Sequence, residues 1–529
     1  MNVEISGTSI IGFDRGSESG DSFRAFDPRT GESVGPDFFS ASVEELNAAA
    51  QLAADARISF GNVGGKKKAE FLRQIAANLE SLGDLLIERA TLETALPTAR
   101  IQSERGRTCS QLRLFADLVE EGSWVDARID HADHGRKPIP KPDVRSMLRP
   151  IGPVAVFCAS NFPLAFSVAG GDTASALAAG CPVIVMAHPA HPGTAELAGS
   201  AIREAVKSCG LPEGVFSLLF SKGYDIGQAL VRHPRIKAVG FTGSRSGGRA
   251  LMEIAAARPE PIPVYAEMSS VNPTFILPSV LAEKAEEIAA GLHGSFTLGV
   301  GQFCTKPGLV FLPASQHVES FKNKLAELTA ATAVSPLLTR GIKAHYEGAT
   351  KERADLRKAV AEADSDGFAV KAELFETTAE SFLQDAKLGE EVFGPATLLI
   401  TSGSREHLLS IARSMEGQLT ASIFGTENDL KDNADLISIL ETKVGRLIFN
   451  AFPTGVEVCH AMVHGGPYPA TSDSRSTSVG TNAINRFCRL ICYQGFPPHA
   501  LPDELKDENP LSIWRLVDGR IVVPSQPGL

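Results

Sequence analysis

The stretch GQFCTKPG, residues 301–308, sets Cys304 in a turn-prone segment with Lys306 two places on. A thiol attacks carbon only as thiolate, a form that positive neighbours or a helix N-terminus favour, and Lys306 is the candidate neighbour. Far upstream, Glu267 closes the apolar run Ile262–Ala266. A carboxylate at a strand end can act as a general base if burial lifts its pKa toward neutrality. Taken singly, Cys304 also suits a small buried side chain and Glu267 a cap or salt-bridge partner.

Both residues need elements to carry them. From Pro153 the chain alternates short apolar runs with helical patterns. PVAVFCA, PVIVMA, VFSLLF, IKAVGFTG and IPVYAE read as strands; SVAGGDTASALAAG, TAELAGSAIREAVKSC, GYDIGQALVRH and SRSGGRALMEIAAAR read as helices. That alternation predicts a parallel sheet with right-handed crossovers. Ligands of such sheets sit at the carboxyl ends of strands. Two ends stand out: Ala159-Ser160-Asn161-Phe162-Pro163-Leu164, and Phe241 to Gly248. The turn Gly243-Ser244-x-x-x-Gly248 opens a helix whose amides could meet a phosphate, while Ser244 serves equally as a plain N-cap. The GxGxxG fingerprint is absent from the first strand turn.

Ser42 to about Thr94 carries apolar residues at three- and four-residue intervals, the pattern of amphipathic helices. Ser123 to Ser146, with alternating charge and then a Pro-Lys-Pro run, suits an exposed ribbon. A helix is expected from Ala282 to His293.

At 529 residues and 43% hydrophobic content, two or three packed units are expected. Lysine and arginine number 51 against 62 acidic residues, a formal charge of -11, and no long basic run occurs. That balance opposes non-specific binding of nucleic acid or anionic membranes. The N-terminus lacks a signal-peptide pattern, and the stretch Leu164–Ala187 is broken by glycines and Asp172, so a cytoplasmic protein is expected. The eight cysteines make no CxxC pair, and no metal site is expected.

In consistent order, NFPL at Asn161, GS-x-x-x-G at Gly243, EMSSVNP at Glu267, GQFCT at Cys304 and EEVFGP at Glu390–Pro395 resemble the aldehyde dehydrogenase superfamily, from about Pro28 to Gln494. The closer resemblance is to its 2-oxoglutarate semialdehyde (2,5-dioxovalerate) dehydrogenase branch, near the NADP-dependent fatty aldehyde dehydrogenases. It rests on AHPAHPGTAEL, EMSSVNP with two serines where most of the superfamily has glycines, GQFCTKPG, and FPTGVEVCHAMVHGGPYPATSDSRSTSVGT.

The resemblance implies an α/β fold with a parallel-sheet dinucleotide-binding domain (1–124 and 148–266), an α/β catalytic domain (267–476) and an oligomerisation ribbon with C-terminal extension (125–147 and 477–529). It implies a homodimer or dimer of dimers. It further implies oxidation of an aldehyde with NAD or NADP: Cys304 forms a hemithioacetal, then a thioester; the Asn161 amide and the Cys304 backbone N–H hold the oxyanion; Glu267 activates the hydrolytic water. Glu391 would hold the nicotinamide ribose and Phe393 face the ring. The leading substrate is 2-oxoglutarate semialdehyde, which would tie the enzyme to the oxidative breakdown of pentoses, sugar acids or hydroxyproline.

One departure bears on the cofactor. Met186 stands where the family has a ribose-binding lysine, and methionine neither donates to a hydroxyl nor neutralises a 2'-phosphate. No acidic residue in MAHPAHP repels that phosphate, and Lys222 is a possible replacement cation. His188 and His191 read as loop-packing residues. Arg475 is expected to anchor a distal substrate carboxylate or to form a structural ion pair, and Phe162 to line the substrate site. Cys459, His460 and His464 are expected to line the loop over the substrate mouth rather than to act in catalysis. The rival functions are a fatty or general aldehyde dehydrogenase, and a thiol esterase or assembly module that binds cofactor weakly.

Overall fold

The Ser42 hydroxyl accepts from the Glu45 backbone N–H at 3.1 Å, and the Glu45 carboxylate accepts from the Ser42 N–H at 2.8 Å. This capping box starts the Val43–Gly61 helix. Its buried face, Leu46, Ala49, Ala50, Ala53 and Phe60, follows the spacing expected of an amphipathic helix. Helices Gly65–Ser81 and Gly83–Thr94 complete the expected helical region, and a further helix, Thr98–Glu121, continues it. The computed structural model describes residues 4–361 and 367–523. Residues 1–3, 362–366 and 524–529 of the expected segments lie outside that range.

All five strands expected after Pro153 form, and they lie in one sheet in the order Val264–Glu267, Ala238–Thr242, Val154–Phe157, Val183–Met186, Phe216–Leu219, each parallel to its neighbour. Two short strands at Ile10–Ile11 and Asp14–Arg15 extend it antiparallel. Side chains alternate between two cores. Val154, Val156, Val183, Val185 and Leu218 join one cluster, whereas Ala155, Ile184, Met186, Leu219 and Val239 join the other. Burial on both faces explains why these strands read as unbroken apolar runs.

A second sheet of seven strands follows, in the order Arg357–Val360, Glu373–Thr378, Ala396–Ser402, Leu309–Pro313, Thr274–Ile276, Thr420–Phe424, Arg446–Phe449. It too is clothed on both faces. The helix expected at Ala282–His293 runs from Pro278 to Thr297. A five-stranded ribbon joins Cys488–Gln494, Val144–Pro150, Arg128–Asp130, Arg515–Val517 and Arg520–Val522. The Val144–Pro150 strand passes the boundary expected at 147, because its ladder to Cys488–Gln494 pairs every residue through Pro150. The tail buries Leu505 and Ile513 against this ribbon. Among the described residues no helix is long and apolar enough to cross a membrane.

Candidate active site

In the first sheet, Val154–Phe157 leads through successive crossovers to one side and Ala238–Thr242 to the other. Where strand order reverses, the helices leave on opposite faces and a crevice opens at the carboxyl ends. Asn161 follows the first of these strands, Gly243–Gly248 the second, and Glu267 ends the strand beside them.

The cysteine reaches the crevice on a tight loop. Gly299, Val300 and Gly301 take successive positive φ values of 58°, 59° and 67°. A β-branched residue rarely adopts this backbone, so the turn must be held from outside. A Cβ on Gly301 would lie 2.2 Å from the Gly394 carbonyl oxygen, so only glycine lets this loop meet EEVFGP. Asn272, wholly buried, clamps the other side: its Nδ2 donates to the carbonyls of Cys304 at 2.8 Å and Lys306 at 3.0 Å. Its Oδ1 accepts from Ser270 and Thr420. The Asn161 Nδ2 donates to the Gln302 carbonyl at 2.9 Å, which brings the amide beside the Cys304 turn and leaves its second N–H for another acceptor.

Three titratable groups then converge. The ligand atoms of Glu267, Cys304 and His464 all lie within 4.8 Å of one another. His464 Nε2 is 2.8 Å from Glu267 Oε1 and 3.3 Å from Cys304 Sγ. Nε2 is hydrogen-bonded to the sulfur, whereas Glu267 Oε1 lies beside the ring nitrogen outside hydrogen-bond geometry. Ser478 Oγ donates to the other carboxylate oxygen at 2.6 Å. The spacing would also suit a thiophilic cation; with the sulfur on the imidazole and the carboxylate alongside, it equally forms a proton relay.

Electrostatics follow from that geometry. Burial pushes the Glu267 carboxyl up, while His464, Ser478 and Cys304 pull it down more strongly, so its pKa lies below the ordinary carboxylate value. This corrects the expectation that burial lifts it toward neutrality. Burial raises the Cys304 thiol well above its usual pKa, and the Glu267 carboxylate, then Glu391, raise it further. The resting sulfur is therefore a thiol, and activation depends on the imidazole nitrogen beside it accepting the sulfur's proton. Replacing His464 by alanine is expected to lower kcat/KM by about 100-fold, the low end for a general acid–base group. It should also slow iodoacetamide alkylation of Cys304 at pH 8; unchanged values in both measurements would contradict this role.

His464 was expected only to line a loop. Its imidazole is fully buried, and Thr477 Oγ1 accepts from its backbone N–H at 2.8 Å. The long run FPTGVEVCHAMVHGG…STSVGT held the signal, since it supplies both His464 and Ser478.

Lys306 does not meet the thiol. Its Nζ donates to the Val392 and Ala396 carbonyls, both at 2.8 Å, and it faces Glu391 instead. Burial lowers the lysine's pKa and raises that of Glu391. Arg475 stands in solvent, its side chain 89% exposed and paired with Asp473 at 3.1 Å. It has the structural ion pair rather than an enclosed carboxylate pocket. Phe162 packs edge-on to Phe303 at 5.2 Å, beside the cysteine.

Ser244 is an N-cap: its Oγ accepts from the Gly247 N–H at 3.1 Å. Gly243 and Ser244 are exposed, and Gly248 packs so closely that a Cβ would lie 2.6 Å from Met268 Sδ. Met186 is buried at the end of its strand, opposite Phe157 on one side and Leu219 on the other. Lys222 is exposed, its backbone N–H bonded to Ser40. His188 stacks on His191 with ring centroids 5.6 Å apart, and His191 Nε2 meets the Ala159 carbonyl at 3.0 Å, both packing roles. Phe393 is half-buried beside Glu391.

The model of the aldehyde dehydrogenase family matches residues 15–467. The chain is 49% identical over 523 residues to alpha-ketoglutaric semialdehyde dehydrogenase 2 of Azospirillum brasilense, covering 98% of this chain and 100% of that one. It is 46% identical over 487 residues to alpha-ketoglutaric semialdehyde dehydrogenase of Acinetobacter baylyi, covering 91% and 92%. Among solved structures, an aldehyde dehydrogenase C variant from Pseudomonas syringae, in complex with NAD+ and octanal, superposes with a TM-score of 0.79 at 20% identity, over 94% of this chain and 98% of that one.

Proposed function

The chain belongs to the aldehyde dehydrogenase family, an NAD(P)-dependent oxidoreductase acting on a small aldehyde, and we propose that this aldehyde is 2-oxoglutarate semialdehyde. The observation that carries the chemistry is the meeting of Cys304, His464 and Glu267 within 4.8 Å. Similarity at 49% and 46% identity, along 98% and 91% of the chain, to two dehydrogenases of that semialdehyde supports the substrate.

The Cys304 sulfur adds to the aldehyde carbon as its proton passes to His464 Nε2, which leaves Glu267 ionised for the later step and returns the proton when the sulfur departs. The C=O π pair moves onto oxygen, where the free Asn161 N–H and the Cys304 backbone N–H receive it, each donor contributing about 3 kcal/mol. Bound NAD(P)+ supplies the hydride acceptor, and the substrate carbon is left as a thioester on Cys304. Glu267, ionised at neutral pH, takes a proton from the attacking water, and the sulfur leaves as the carboxylate product forms.

The residues present fit the cofactor. The start of the Arg245–Ala256 helix exposes Gly243, Ser244 and Ser246, and the Arg245 side chain is drawn aside by Glu416 at 2.8 Å, so phosphate oxygens can approach its amides. Gly243, Ser244 and Gly248 would hold the pyrophosphate, Glu391 and Phe393 the nicotinamide half, and Met186 with Lys222 the adenine side. With no acid in the Met186 loop, NADP is accepted as well as NAD.

The test is a matrix of both cofactors against 2-oxoglutarate semialdehyde, succinic semialdehyde, pentanal and octanal, following absorbance at 340 nm. The highest kcat/KM is expected with 2-oxoglutarate semialdehyde. Octanal as the best substrate would favour a fatty aldehyde dehydrogenase instead. The complete thiol, imidazole and carboxylate grouping gives no support to a non-oxidising assembly module.

The domain division given above is proposed with one change, the ribbon taking the whole of the Val144–Pro150 strand. A homodimer fits two strands that end their sheets: Cys488–Gln494, with Leu490 exposed, and Arg446–Phe449, with Leu447 and Phe449 exposed. A cytoplasmic setting suits eight cysteines that form no disulfide.

A further inference from the structure

We propose that Arg107 receives the distal carboxylate of the substrate, with Arg446 as the second guanidinium of that receptor. The inference rests on the semialdehyde reading above and names the residues that would enforce it.

The Thr98–Glu121 helix carries Arg100 and Arg107 seven residues apart, hence on one face. Arg100 is committed elsewhere: it pairs with Glu104 and lies over the rings of Phe162 at 4.6 Å and Phe303 at 5.2 Å. Arg107 is not. Its Nε and Nη2 make only long contacts of 3.4 Å with the Val456 carbonyl, and its Nη1 is shut off from solvent without an acceptor. Among the described residues it makes no ion pair within 4.0 Å.

Its place is beside the chemistry. The guanidinium carbon lies 5.2 Å from the Phe166 ring, and that ring lies 6.1 Å from the imidazole of His464, which touches Cys304. Arg446 approaches from the edge of the second sheet. Its Nη groups hold the Pro453 and Gly455 carbonyls, and its Nε is likewise buried with no acceptor. The two arginines thus grip one segment, 453–456, from two sides. Burial lowers the proton affinity of both guanidiniums, and the Glu104 carboxylate offsets part of this at Arg107.

A buried guanidinium N–H with no acceptor carries an uncompensated desolvation cost. A carboxylate would satisfy it in the fork geometry that lysine cannot reproduce. In 2-oxoglutarate semialdehyde, four C–C bonds of about 1.5 Å separate the aldehyde carbon from the carboxylate carbon, a span of roughly 5 Å. With the aldehyde on Cys304, the carboxylate then lies about one aromatic ring away, at the level of Phe166. An aliphatic aldehyde of the same length leaves the N–H groups unpaired, the kind of mismatch that discriminates strongly.

The test compares the purified full chain with Arg107→Gln and Arg107→Lys on 2-oxoglutarate semialdehyde and on pentanal, with kcat and KM resolved. Arg107→Gln is expected to raise KM for the semialdehyde about 100-fold with kcat within a few-fold, and to leave pentanal oxidation unchanged. Arg107→Lys should recover part of the loss. Proportional losses on both aldehydes, or no loss on either, would overturn the assignment. An unsubstituted enzyme that takes pentanal as well as the semialdehyde would instead sink the substrate reading, and the assignment with it. Should the variants not fold, inhibition of the unsubstituted enzyme decides. Glutarate is expected to compete at least tenfold more tightly than pentanoate, and equal inhibition would overturn the proposal.

Discussion

Cys304→Ala is expected to abolish aldehyde oxidation, by at least about 10⁴-fold in kcat, while NAD(P) binding by calorimetry stays within twofold. Burial disfavours three of the other thiols as substitutes. Cys158, the cysteine nearest the crevice in sequence, is buried and its pKa is pushed up to about 12 by burial. Cys109 and Cys181 are raised to about 11 for the same reason. Among the described residues, only the Cys304 thiol is hydrogen-bonded to an imidazole nitrogen, at 3.3 Å. Residual turnover near one-hundredth of the original would mean that the sulfur is not the nucleophile.

Glu267→Gln is expected to separate the two halves of the reaction. Steady-state turnover should fall about 10³-fold, because no carboxylate remains to take the proton of the hydrolytic water. A first turnover of NAD(P)H should survive as a burst close to one per active site. The same substitution should make Cys304 more reactive toward iodoacetamide. After burial, the Glu267 carboxylate is the main reason the thiol titrates above its ordinary pKa. Removing that charge lowers the thiol pKa, so more thiolate is present at pH 8. The sign is fixed by the shift: with the pKa raised, alkylation of the unsubstituted enzyme keeps climbing about tenfold per pH unit past pH 9. In the variant it levels off earlier. A variant that alkylates more slowly at pH 8 would show that Glu267 serves the thiol chiefly as a proton acceptor.

Much of the frame was legible locally. The Ser42 and Glu45 pair announces the first helix, and the apolar runs after Pro153 became five parallel strands in register. Gly243 and Ser244 open a helix as their spacing suggests. Asn272 shows where legibility thins. It sits inside the quoted EMSSVNP, yet its work, clamping the Cys304 loop from 32 residues away, appears only when the second sheet brings the segments together.

What the sequence by itself determined was therefore the alternation of elements, the identity of the thiol and the carboxylate, and the family they resemble, because periodicity, caps and motifs are written within a few residues. Only the tertiary structure decided which groups surround the sulfur. Lys306, two residues from Cys304, turns to the carbonyls of Val392 and Ala396, while His464, 160 residues away, turns in to the thiol. Arg475 goes to solvent and Arg107 to the buried side. The direction of a loop side chain is set by whichever distant acceptor or ring meets it, and chain spacing does not encode that meeting.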